Sequence, residues 1–96
     1  MATFVVLANF TEQGIQGVKD TAKRAKSFRD TAAGLGIKIK EILWTLGIYD
    51  VVVTFEAKSD EDAAALMMKV GALGNLKSQT LRAFTESEIA DLTARI

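Results

Sequence analysis

Ile37-Lys-Ile-Lys-Glu-Ile-Leu-Trp-Thr45, then Leu46-Gly-Ile48, then Tyr49-Asp-Val-Val-Val-Thr-Phe-Glu-Ala57: the fold turns on how this stretch pairs. Both runs are rich in β-branched and aromatic residues, and a glycine-centred link joins them, so they read as a β-hairpin. With Leu46–Ile48 as the loop, Thr45 opposes Tyr49 and every later pair follows by counting. One face then carries Ile37, Ile39, Leu43, Val51, Val53, Phe55 and Ala57, with Glu41 as its exception. The other carries Lys38, Lys40, Ile42, Trp44, Asp50, Val52, Thr54 and Glu56, and Lys38 faces Glu56 as a cross-strand charge pair. The first face belongs under helices. The second is amphiphilic.

Upstream of the hairpin, Thr3 to Phe10 is continuously apolar and β-branched, which marks a central strand. Thr11 suits an N-cap. Ile15, Val18, Ala22, Ala25, Phe28, Ala32 and Leu35 then recur at steps of three and four, an amphipathic helical period that Asp20-Thr21 can break in two. Gly34 and Gly36 stop it. Downstream, Ser59-Asp-Glu-Asp62 resembles a capping box ahead of a buried stripe of Ala63, Leu66, Met67, Val70 and Leu73. Leu76 to Phe84 is a fourth strand, and Thr85-Glu-Ser-Glu88 caps a short last helix. The order β-α-β-β-α-β-α is that of an α+β, ferredoxin-like βαββαβ domain with one added helix, a single domain over residues 1–96. Its four-stranded antiparallel sheet carries helices on one face. The other face exposes Ile42, Trp44 and Val52 among charges, and the economical cover is a second copy, giving a dimeric α/β barrel with space for a cavity between the sheets.

Composition narrows the chemistry. The chain has no cysteine and no histidine. Disulfides, thiolate metal ligation, imidazole ligation and histidine-based catalysis are therefore excluded, and no metal or cofactor is expected. No apolar run approaches the ~18 residues of a membrane span, and the start lacks a charged segment followed by an apolar one, so a cytoplasmic protein with no membrane partner is expected. Net charge is zero, although residues 19–40 hold seven basic and two acidic side chains. Asp20/Arg24 and Lys26/Asp30 have the i,i+4 spacing of helix-surface pairs and no aromatic interleaves them, so a solvated face is expected there and nucleic acid is not.

Trp44-Thr-Leu-Gly-Ile-Tyr-Asp50, with the strand that ends Phe55-Glu56-Ala57 and the acidic helix start after it, resembles the GYD-domain family. Asn9-Phe-Thr-Glu-Gln-Gly14, Gly74-Asn75-Leu76 and Thr80-Leu-Arg-Ala-Phe84 resemble other parts of the same pattern, so the likeness spans nearly the whole chain. The residues that give the family its name fall at Gly47, Tyr49 and Asp50. Lys58 and Ala22 stand where proline is common in the family, both at helix entries. The resemblance implies a ferredoxin-like fold of the dimeric α/β barrel type, and no settled activity.

The candidate site residues are Trp44, Tyr49, Asp50 and Arg82. Tyr49 and Asp50 can present a phenol and a carboxylate at a cavity mouth. Equally, Asp50 can accept backbone N–H groups around the turn while Tyr49 packs under a helix edge. Trp44 can stack on a ligand or anchor a dimer interface. Arg82 can bind a ligand carboxylate or pair with Asp50 or Glu56. Gly47 is expected at positive φ. Two functions fit: a homodimeric or larger module that uses the space between its sheets for a small organic ligand or simply as its interface, or a cofactor-free monooxygenase or isomerase with Asp50 as base.

Overall fold

The structure is a computed structural model that describes residues 1–96. Strand β1 (Ala2–Phe10) leads into a short helix α1 (Glu12–Gln16), a 3₁₀ turn (Val18–Asp20) and helix α2 (Thr21–Gly34). Strands β2 (Lys38–Trp44) and β3 (Val51–Ala57) form the hairpin; α3 (Asp60–Ala72), β4 (Leu76–Ala83) and α4 (Glu86–Thr93) complete the chain. The sheet is antiparallel in the order β2-β3-β1-β4. This is the α+β, ferredoxin-like arrangement expected, with β1 central because its apolar run is flanked on both sides by partners.

One face of the sheet builds the core. Phe4, Val6 and Ala8 of β1 alternate with half-buried residues, and Val51, Val53, Phe55 and Ala57 do the same on β3. Ala32 of α2 and Ala63 and Leu66 of α3 close over them, and the rings of Phe4 and Phe55 stack 5.3 Å apart. The helices start where polar side chains replace missing backbone partners. Thr11 Oγ1 accepts from Gly14 N–H, and Ser59 Oγ accepts from Asp62 N–H. Thr85 and Glu88 form the full reciprocal capping box, and the Thr85 backbone N–H holds the Glu88 carboxyl below its ordinary pKa.

The hairpin register departs from simple counting. Lys38 opposes Glu56 and Ile39 opposes Phe55 as expected, but a bulge at Lys40 sets Glu41 opposite Thr54, Ile42 opposite Val53 and Trp44 opposite Val51. Strict alternation from Ile39 would drive the Glu41 carboxylate under the helices, a desolvation cost of several kcal/mol. One extra residue avoids it. Ile42 and Trp44 thus move to the helix face, while Leu43 moves to the bare face and is 48% exposed. The charge pair moves as well, since Lys40 Nζ rather than Lys38 meets Glu56 Oε1, at 3.2 Å.

The helical stripes also depart in part. The 3₁₀ turn at Val18–Asp20 resets the phase between α1 and α2, so Ile15 and Val18 are exposed, and Ala22 with them, whereas Ala25, Phe28, Ala32 and Leu35 point inward. Asp20 stands at the start of α2 without a side-chain capping bond. Arg24 does not pair with it. Its guanidinium turns back to the carbonyls of Gly14 (3.0 Å) and Gly17 (2.7 Å), freed by the ending of α1.

Candidate functional site

The segment Thr45–Asp50 is a six-residue loop closed on itself. Thr45 N–H donates to the Asp50 carbonyl at 2.8 Å, and Thr45 Oγ1 donates to the Tyr49 carbonyl. Gly47 sits at φ 111°, in the region that side chains disfavour. Asp50 then joins the loop to β1 twice. Its N–H donates to the Ala8 carbonyl at 2.9 Å, continuing the ladder, and its Oδ2 accepts the Phe10 N–H at 3.0 Å. Beyond this point β3 turns away from β1, so the carboxylate supplies the acceptor that a strand would have supplied.

The same corner receives the α3–β4 connection. Thr11 N–H donates to the Asn75 carbonyl at 3.0 Å, and Thr11 Oγ1 donates to the Gly74 carbonyl at 2.6 Å. Gln13 Nε2 donates to the Leu73 carbonyl and to Asn75 Oδ1, both at 2.9 Å. Gly14 is buried against this turn so closely that a Cβ there would stand 2.0 Å from the Asn75 carbonyl oxygen. Three sequence segments that lie far apart therefore meet at one end of the sheet: Asn9–Gly14, Gly47–Asp50 and Gly74–Leu76.

The four candidate residues do not form one constellation. Tyr49 and Asp50 belong to this corner, both half-buried. Trp44 lies on the helix side of the sheet, where its Nε1–H donates to Thr21 Oγ1 at 2.9 Å. The bulge at Lys40 put it there, opposite Val51 rather than Asp50. Arg82 pairs with Phe4, near the other end of β1 from the Ala8–Phe10 segment that holds Asp50. Four steps along the strand lead from Phe4 to Ala8, about 13 Å. Its guanidinium lies 4.5 Å from the Phe84 ring centre, bonds the carbonyls of Thr3 and Ala83, and stands 3.8 Å from Glu88. Arg82 fastens the entry to α4, and its acidic partner is Glu88 instead of Asp50 or Glu56.

Between α2 and α3 a cavity of about 500 Å³ opens down to the sheet. Val6, Ile42 and Val53 form its floor, Phe28 and Val70 stand on its helical walls, and Trp44 also lines it. Of the four candidates only Trp44 belongs to it. The sequence pattern marks Phe28 and Val70 as core positions. What it does not reveal is that the helices stand far enough apart to leave the space between them unfilled.

A family model described as the GYD domain matches residues 4–93. The chain belongs to the GYD-domain family. A curated relative of this GYD chain is the "Glutamine synthetase and cystathionine beta-lyase binding protein" of Thermus thermophilus, 30% identical over 97 residues that cover all of this chain and 99% of the relative. A crystal structure of a Thermus thermophilus protein aligns with a TM-score of 0.58 at 22% identity, over 88% of this chain and 95% of that one. At that identity the likeness speaks to the fold alone. Gly47, Tyr49 and Asp50, on which the sequence resemblance rests, all sit in the hydrogen-bonded corner. Lys58 and Ala22 are both exposed at helix entries.

Proposed function

We propose that this GYD protein is a protein–protein interaction module that pairs with a second copy through the bare face of its sheet. The observation that carries this reading is that face itself. Val5 and Leu7 of β1, Val52 of β3, Leu43 of β2 and Leu81 of β4 share it, and no element of the chain covers them. Leu43 and Leu81 remain 48% and 40% exposed. Around this apolar centre stand Lys38, Lys40 and Lys77 with Glu41 and Glu56, a rim of both signs that suits a self-complementary contact.

The shape supports the same reading. A compact domain of this length has a radius of gyration of about 12.5 Å. Here it is 14.3 Å, with a thickness of only 17 Å, that of one sheet and one helical layer. A second sheet packed at about 10 Å would convert a two-layer slab into a four-layer body, the dimeric α/β barrel. Helix α4 has no buried residue, so its apolar Ile89 is also available to the pairing. On this reading the protein works as a homodimer or larger assembly in the cytoplasm.

The curated relative is named for binding two enzymes, and its match along the whole chain makes glutamine synthetase and cystathionine beta-lyase the first partners to test here. The hairpin tip, where Leu46 is fully exposed beside Ile48, offers apolar contact outside the paired face. The reading assigns no acid–base work to Asp50, whose Oδ2 is committed to the Phe10 N–H. Leu7→Glu places a charge at the centre of the bare face without touching the core. It should convert the dimer to monomer in sedimentation velocity while the far-UV circular dichroism stays unchanged. A Leu7→Glu protein that sediments as the wild type would refute pairing through this face.

A further inference from the structure

The groove between α2 and α3 has the dimensions of a ligand site, and its charge selects the ligand. Its volume of about 500 Å³ lies within the range of small-molecule pockets, roughly 300–1,000 Å³. It stays open because alanines, Ala8 on the floor and Ala25 on α2, stand where larger side chains would fill the space. The floor offers only hydrocarbon. The ionisable residues along the lining are Lys23 and Arg24 of α2 and Lys69 of α3, and no aspartate or glutamate is among them. The Arg24 guanidinium is spent on the Gly14 and Gly17 carbonyls. Lys23 and Lys69 form no ion pair within the chain, so their ammonium groups are free to meet an anion.

We propose that this groove binds an amphiphilic carboxylate, its apolar body on the Val6–Ile42–Val53 floor and its anionic head at Lys23 and Lys69. An apolar floor alone would accept any hydrocarbon. A one-signed basic rim adds preference for an anion over a neutral or cationic body of the same shape. Trp44 holds a fixed place in the lining because its indole N–H is tied to Thr21 Oγ1. The site is separate from the bare sheet face and does not depend on dimer formation, since it lies on the opposite side of the sheet.

The chain has one tryptophan, so Trp44 reports on the groove without labelling. The full-length protein is titrated with decanoate, decanol and decyltrimethylammonium, each below its micelle concentration, while Trp44 emission is followed. Decanoate should give a saturable change, with decanol at least about tenfold weaker and the cation without effect. The double variant Lys23→Glu/Lys69→Glu, on exposed positions that do not endanger folding, should weaken decanoate about tenfold, the scale of two partly screened charge contacts, and leave decanol unchanged. Ala25→Phe, which fills the groove, should abolish the response to decanoate. Equal affinity for decanoate and decanol would overturn the assignment of an anion. A saturable response that survives Ala25→Phe would place the ligand elsewhere and overturn the site. The absence of any saturable response to decanoate would overturn the proposal outright.

Discussion

Gly14 shows how a single residue fixes the corner of this fold. It is buried where α1 meets the α3–β4 turn, and the neighbour that would meet a side chain is backbone, the Asn75 carbonyl. Backbone held by the Thr11 and Gln13 hydrogen bonds cannot yield as a flexible side chain could. Gly14→Ala is therefore expected to destabilise the protein by about 1–3 kcal/mol, the usual cost of overpacking. Gly34→Ala, on a helical residue with open space around it, is expected to be neutral or to stabilise by about 0.4–1 kcal/mol. Urea unfolding of the two variants against the parent measures both. The tie between Asp50 and the backbone is of the same kind. That an aspartate after a tight loop accepts a backbone N–H was legible from the residue type. That the N–H belongs to Phe10, forty residues away, was not, because only the sheet order brings β1 beside that loop.

At the scale of elements, the bulge at Lys40 decides which side of the sheet each residue of β2 occupies. Its trace is in the sequence: Ile39 and Ile42 are three apart instead of two, with Lys40 and Glu41 between them. Alternation alone treats Glu41 as an exception, whereas energetics make it the cause, because a carboxylate under helices costs more than a local break in the ladder. Counting back from an assumed three-residue loop concealed this, and it placed Trp44 on the wrong face. Deleting Lys40 removes the extra residue and turns Ile42 and Trp44 outward. The expected result is loss of the Trp44–Thr21 contact, seen as a red shift of Trp44 emission, together with destabilisation of about 2 kcal/mol or more from the lost burial. Unchanged emission and stability would mean that the strand reaches the same register by another route. Helix limits were easier to read, since Thr11, Ser59 and Thr85 act locally and each caps the helix that follows it.

At the scale of the whole molecule, the fold class was legible because the alternation of helical and strand periods is a property of the chain itself. The candidate site was not, because Trp44, Asp50 and Arg82 are distributed by register and strand order to a groove wall, a loop corner and a helix entry. What the assembled molecule adds is two surfaces on opposite sides of one sheet: a bare apolar face and a basic-rimmed groove. The central claim is that the bare face is covered by a second copy. Sedimentation equilibrium of the unmodified protein at micromolar concentration tests it most directly. A molar mass of twice the 10.4 kDa of the chain, or a higher even multiple, is the expected result. A species that stays at 10.4 kDa across the concentration range would leave Val5, Leu7 and Val52 in water and contradict the pairing.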